Sequence, residues 1–199
     1  MTELRIAILG SGYMGRTHAH CITNHVTRSR LVAIAGGRRA EGLAADYGAA
    51  FEPSYEALLA RGDIDAVLIA TPHADHCPQV IAAAKAGKHV LVEKPMATSA
   101  ADCTAMIEAC ERAGVRLEVI QTQRFRGAMW RTRKLIADGA IGKVRMFEGR
   151  SLFTDYVVGS SPWAGEDQHG GAFLDTGVHF FDLIRFLLGE YPVSIFSTL

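Results

Sequence analysis

A strand, a glycine loop and a helix follow one another at the start of the chain, and this unit constrains the fold more than any other feature. Residues 5–9 read RIAIL, and the next stretch, GSGYMGRTHAH, places Gly10, Gly12 and Gly15 in a G-x-G-x-x-G spacing. The first glycine permits a tight turn, the second lets backbone approach a pyrophosphate, and the third lets helix and strand pack closely. The helix start, with Tyr13 and Met14 beside it, presents N–H groups and a positive dipole end to phosphates. A plain tight turn would meet the spacing alone. The apolar strand before it and the helix after it point to a dinucleotide.

The pattern continues as strand–helix alternation. Further strands are expected at 31–35, 66–69, 89–92 and 116–119, and helices at 14–24, 40–47, 54–60, 76–86 and 100–113. Short glycine-containing turns such as AAAKAGKHV stop each helix and start the next strand. This predicts a doubly wound parallel sheet of Rossmann type. The pattern changes near Thr122, so the expected domains are 1–122 and 123–199. The second part reads as a helix, a glycine turn and a long strand, then the irregular TDYVVGSSPWAGEDQHGG. A strongly helical AFLDTGVHFFDLIRFLLG and an apolar, strand-like VSIFSTL follow. A sheet ending on such a strand needs more strands or a partner chain, so the sequence reads as lacking its C-terminal portion.

Composition excludes several classes. The 21 Lys and Arg balance the 21 Asp and Glu. No basic block is present, so neither nucleic acid nor a membrane surface is expected as a partner. No apolar run reaches membrane-spanning length, and the N-terminus enters a strand without a signal pattern. Cys21, Cys77, Cys103 and Cys110 form no CxxC pair. They read as reduced, mostly packed thiols of a cytoplasmic protein. His18, His20 and His25 have no carboxylate or cysteine companions at ligand spacing. They read as packed or surface residues, and no metal is expected.

NAD enzymes carry an acid at the end of the second strand to hold the ribose 2′-OH. Here no acid occurs between Leu4 and Ala40, and the strand ends AIAGGRR. Gly36, Gly37, Arg38 and Arg39 suit a 2′-phosphate, which a guanidinium can hold with two hydrogen bonds. Two arginines solvating a helix start would read the same way. The expectation is NADP, with NAD as the lesser option.

Two further stretches carry chemistry. LVEKPMAT sets Glu93, Lys94 and Pro95 at the carboxyl end of a strand, the edge where open α/β sheets bind ligands. Proline stops the strand, which aims the lysine at the cleft. GGAFLDTGVHFFD spaces Asp175 and His179 four apart, on one face of a helix. An imidazole beside a carboxylate suits general acid–base work, and it equally suits a structural pair. Asp182, one turn on, reads as a packing or helix-orienting acid. Tyr156 and Trp163 fit either stacking on a ring substrate or the core.

In order, GSGYMG, TPHADH, VEKP, QRF and GGAFLDTGVHFFDLIRFLLG resemble the Gfo/Idh/MocA oxidoreductases over nearly the whole chain. The resemblance implies a dinucleotide-binding domain followed by an α/β domain with a large, mostly antiparallel sheet, through which a homodimer or homotetramer forms. It implies hydride transfer between a nicotinamide and a sugar, cyclitol or related polyol. Lys94 would contact the substrate hydroxyl and nicotinamide ribose, Asp175 would complete the catalytic set, and His179 would accept the proton. Thr71, Pro72, His73 and His76 match a loop lining the cofactor, and Glu93 belongs to the same lining. Gln123 and Arg124 match a segment beside nicotinamide and substrate. The Lys94–Pro95 bond is often cis in relatives. Other family members imply two alternatives: a glycoside hydrolase that retains NAD, and a non-catalytic dinucleotide-binding regulator.

Overall fold

The computed structural model describes residues 3–150, 173–194 and 196. Tyr156, Trp163 and the irregular stretch around them lie outside the described residues, as does most of 193–199. The chain divides into two compact units, Met1–Ile120 and Gln121–Leu199.

The first unit alternates strictly. Its order is β1 (Leu4–Leu9), α1 (Tyr13–Asn24), β2 (Ser29–Ala35), α2 (Ala40–Asp46), β3 (Ala50–Glu52), α3 (Tyr55–Leu59), β4 (Ala66–Ile69), α4 (His76–Lys85), β5 (His89–Val92), α5 (Ala100–Ala113) and β6 (Leu117–Val119). All pairings are parallel, in the order β3-β2-β1-β4-β5-β6. The connection therefore reverses direction across the sheet between β1 and β4, and α/β folds bind ligands at such a switch point.

Successive strand residues point to opposite faces, and both faces are covered. Ile6 and Ile8 of β1 join Ala19 and Ile22 of α1 and Leu43 of α2 in one core. Ala7 and Leu9 face the other way, into a core with Leu58, Val80 and Met106 of α3, α4 and α5. That double burial is why these strands read as continuous apolar runs. β3 has only three residues at the edge of the sheet, too few to show a period in the sequence. Helix ends follow local chemistry: Ser99 caps α5 by accepting the Asp102 N–H at 3.1 Å, and Gly114 closes it at φ 67°.

The second unit contains a 3-10 turn (Thr122–Phe125), α6 (Gly127–Ala137), a π-helical turn (Phe173–Gly177) and α7 (Val178–Leu188). Trp130 of α6 meets Phe186 of α7 edge-on, ring centroids 5.3 Å apart. Of the long strand expected after Gly142, residues 144–150 carry no ladder pairing to any described residue. A strand is completed only by a neighbour, and among the described residues of this unit no second strand forms. No described helix is long and apolar enough to cross a membrane.

Candidate functional site

The register of the sheet sets the site. Leu9 pairs with Ala35 and with Ile69, and Ile69 pairs with Val92, so four strands end on one line. The ladder extends one residue further: the Gly10 N–H donates to Ala35 O (2.8 Å), Ala70 N–H to Leu9 O (2.8 Å) and Glu93 N–H to Ile69 O (2.9 Å). Beyond this line lie the glycine loop, Gly36, Thr71 and Lys94, all at the carboxyl edge.

Each loop glycine has a distinct reason. Gly10 has φ +114°, and a Cβ there would collide with Ala70 O. A Cβ on Gly15 would collide with Gly10 O, so only glycine lets α1 settle on the loop. Gly12 is different: a Cβ there would meet nothing within 4 Å. Its missing side chain keeps open the space before α1. The first N–H groups of a helix lack intrahelical partners; α1 has no side-chain cap and no acid in its first turn. The helix start is thus a bare, positive end suited to a pyrophosphate, with Tyr13 74% exposed beside it.

At the end of β2, Gly36 and Gly37 have φ +82° and +83°. A side chain at Gly36 would approach Leu9 Cδ1 to 2.9 Å, and one at Gly37 would approach Ser11 Oγ to 2.6 Å. The strand end is therefore packed against the loop in a conformation that an Asp or Glu adopts only with strain. Arg38 and Arg39 are exposed, and no ion pair holds them among the described residues.

The Glu93–Lys94–Pro95 turn follows β5, with a cis Lys94–Pro95 bond. Glu93, expected to line the cofactor, is 6% exposed and held internally. Its Oε1 lies 2.6 Å from His18 Nε2, and its Oε2 accepts the Lys94 N–H at 3.1 Å. No carboxylate stands at ligand spacing from His18 in the sequence; the fold brings it Glu93 instead. The partner stands 75 residues away, beyond the reach of any spacing rule, but one signal existed. Gly15, His18, Ala19 and Ile22 form the sheet-facing stripe of α1, and a polar residue on such a stripe requires a buried partner.

The loop after β4 is equally tied. Thr71 Oγ1 donates to Gln79 Oε1 at 2.6 Å. His73 is 4% exposed, and its ring lies 5.9 Å from that of His76. His76, expected on the cofactor-lining loop, is wholly buried. Its Nδ1 lies 2.9 Å from Pro95 O and its Nε2 3.0 Å from Thr71 O. Burial lowers its pKa, against the opposing pull of both carbonyls and Glu93.

In the second unit, Asp175 sits in the π-helical turn and His179 in the first turn of α7, both half-buried. Gln123 is half-buried on the 3-10 turn. Arg124 does not stand alone: its Nε donates to Asp182 Oδ2 at 2.8 Å and its Nη2 to Oδ1 at 2.5 Å. The carboxylate raises the Arg124 pKa. Asp182 thereby fixes the QRF segment to α7, which gives the packing acid its partner.

A glycine loop, an open helix start and a strand-end lysine on one carboxyl edge define a dinucleotide-binding α/β protein. Residues 4–121 match the oxidoreductase family with an NAD-binding Rossmann fold, and residues 129–199 match the GFO/IDH/MocA C-terminal domain. The chain belongs to the GFO/IDH/MocA oxidoreductase family. It is 35% identical over 197 residues to inositol 2-dehydrogenase of Rhizobium meliloti, covering 98% of this chain and 58% of that protein. It is 34% identical to scyllo-inositol 2-dehydrogenase (NAD(+)) of Bacillus subtilis, covering 97% and 56%. The crystal structure of myo-inositol 2-dehydrogenase from Lactobacillus plantarum superimposes with a TM-score of 0.89 at 27% identity, covering 96% and 58%. The chain thus spans little more than half the length of the relatives it matches.

Proposed function

We propose that the protein is a dehydrogenase or reductase that exchanges hydride between NADP(H) and a hydroxyl carbon of a cyclitol, sugar or related polyol. One observation carries this reading: the bare start of α1 and Lys94 share the line on which β1, β2, β4 and β5 end. The names of the inositol dehydrogenase relatives support the substrate class. Gly10, Gly12, Tyr13, Met14 and Gly15 would hold the pyrophosphate, and Thr71, Pro72 and His73 would line the nicotinamide side.

A bound nicotinamide supplies the hydride exchange. The chain's own residues manage the oxygen. Lys94 would donate to the substrate hydroxyl oxygen and stabilise negative charge developing there. His179, oriented by Asp175, would accept the hydroxyl proton in oxidation and return it in reduction. Gln123 and Arg124 would contact the substrate side.

The preference for NADP rests on the strand end at Gly36. No acid is present there to hold a 2′-OH, and Arg38 and Arg39 offer guanidinium donors to a 2′-phosphate. The Bacillus subtilis relative is named for NAD+, and on this reading the chain differs from it in cofactor. Fluorescence titration should give a Kd for NADPH at least ~10-fold below that for NADH, a difference of about 1.4 kcal/mol. The tighter nucleotide should then be turned over with a cyclitol or aldose. Tighter NADH binding would overturn the reading of Gly36–Arg39; binding of neither nucleotide would overturn the function.

A further inference from the structure

We infer that His18 and His76 are positioning residues that hold Lys94 from its two sides and set turnover without touching substrate or cofactor. The inference rests on the reading of Lys94 as the residue that meets the substrate oxygen.

Lys94 stands where the sheet stops supporting the chain. The Glu93 N–H makes the last ladder bond of β5, to Ile69 O, so the turn after it must be fixed by side chains. On one side, the Glu93 carboxylate joins His18 of α1 to the Lys94 backbone amide, one oxygen to each. The His18 and Glu93 side chains are only 14% and 7% exposed. A buried carboxylate without its donor is costly and moves to find another. On the other side, His76 of α4 sets its two ring nitrogens against Pro95 O and Thr71 O. A neutral imidazole donates one of these bonds, and an imidazolium donates both. Either way the ring sits between the cis-proline turn and the loop after β4, and with no exposed surface it cannot swing away.

The two braces come from separate helices, each beginning at a loop of the site. His18 Nε2 and both ring nitrogens of His76 are already engaged by protein atoms, which suits them to brace the turn rather than to bind. What they fix is the backbone on both sides of Lys94, at the Lys94 amide and the Pro95 carbonyl. Displacing a reacting group by about 1 Å can cost ~10²-fold in rate.

The test compares His18→Leu, His18→Gln, His76→Leu, His76→Gln and Lys94→Ala in the full chain. Gln at position 18 places an amide donor near the imidazole Nε2 and cannot titrate. An activity-independent readout is the 13C resonance of reductively methylated Lys94, assigned by its loss in Lys94→Ala. Each Leu variant should shift or broaden that resonance and lower kcat ~10²-fold, with the NADPH Kd within ~3-fold. His18→Gln should restore most of both. If His18→Leu fails to fold, Glu93→Gln with His18 present takes its place, with the same expected movement of the resonance. An unmoved resonance and kcat within ~2-fold in the His18 and His76 variants overturn the inference while the reading of Lys94 stands. Full turnover in Lys94→Ala overturns the reading itself, and the inference with it.

Discussion

The two edges of the parallel sheet use charge in opposite ways. At the amino edge, charges answer one another. Arg5 forks onto Asp65 through Nε and Nη2, at 3.0 and 2.7 Å. Arg61 pairs with Asp63. Lys88, 9% exposed, donates to the carbonyls of Arg61 and Ile64. A cleft does open there, lined by Glu3, Arg5, Arg30, Asp65 and His89, yet its acids and bases largely neutralise one another. At the carboxyl edge the chain withholds side chains at Gly10, Gly12 and Gly36, leaves the start of α1 uncapped and leaves Arg38 and Arg39 exposed. The same sheet thus has an edge that holds itself together and an edge prepared for something else. Charge that is already paired contributes to the fold, whereas donors without protein acceptors mark where a ligand belongs.

The largest effect is expected at Gly15. A valine there would drive its side chain into Gly10 O. We expect Gly15→Val to cost about 3 kcal/mol in urea unfolding and to remove NADPH binding altogether. A variant that still binds would show that the loop is not the phosphate cradle.

A smaller effect is expected at the amino edge, and only on stability. Arg5 holds the Asp65 carboxyl at about 2, below its ordinary 3.8. A depressed folded pKa means that the unfolded chain binds more protons between these values. The stabilisation is therefore complete above about 3.8 and is lost as pH falls toward about 2. Asp65→Asn should be less stable near neutral pH and should lose less stability across that acid window, followed by circular dichroism. Its NADPH Kd should equal that of the parent. A change in Kd would join the two edges that the comparison separates.

Much of the carboxyl edge was legible in the sequence, for a physical reason. β4 is buried on both faces and β5 on one, with Leu91 half-buried on the other, so their apolar runs mark their bounds directly, and the residues past each run form the site. The glycine spacing and the acid missing after β2 are local in sequence. What escaped notice was non-local or too short. His18 and Glu93 meet across 75 positions, and β3 occupies three residues at an edge. The Arg124–Asp182 pair is hidden in the same way: helical spacing marks Asp182 as a packing acid, but nothing local names its partner 58 residues away. In the second unit, the apolar pattern after Gly142 specified a face for a strand, but a face alone does not supply the neighbour that completes it.

On the proposed function, Lys94 acts on substrate rather than on the fold or the dinucleotide. Parallel measurement of NADPH Kd and of kcat for Lys94→Ala tests it most directly. A Kd within ~3-fold of the parent and a kcat lowered ~10³-fold are expected, the scale of losing a charge-stabilising donor. A kcat within a few-fold of the parent would contradict it, as would a loss confined to NADPH binding.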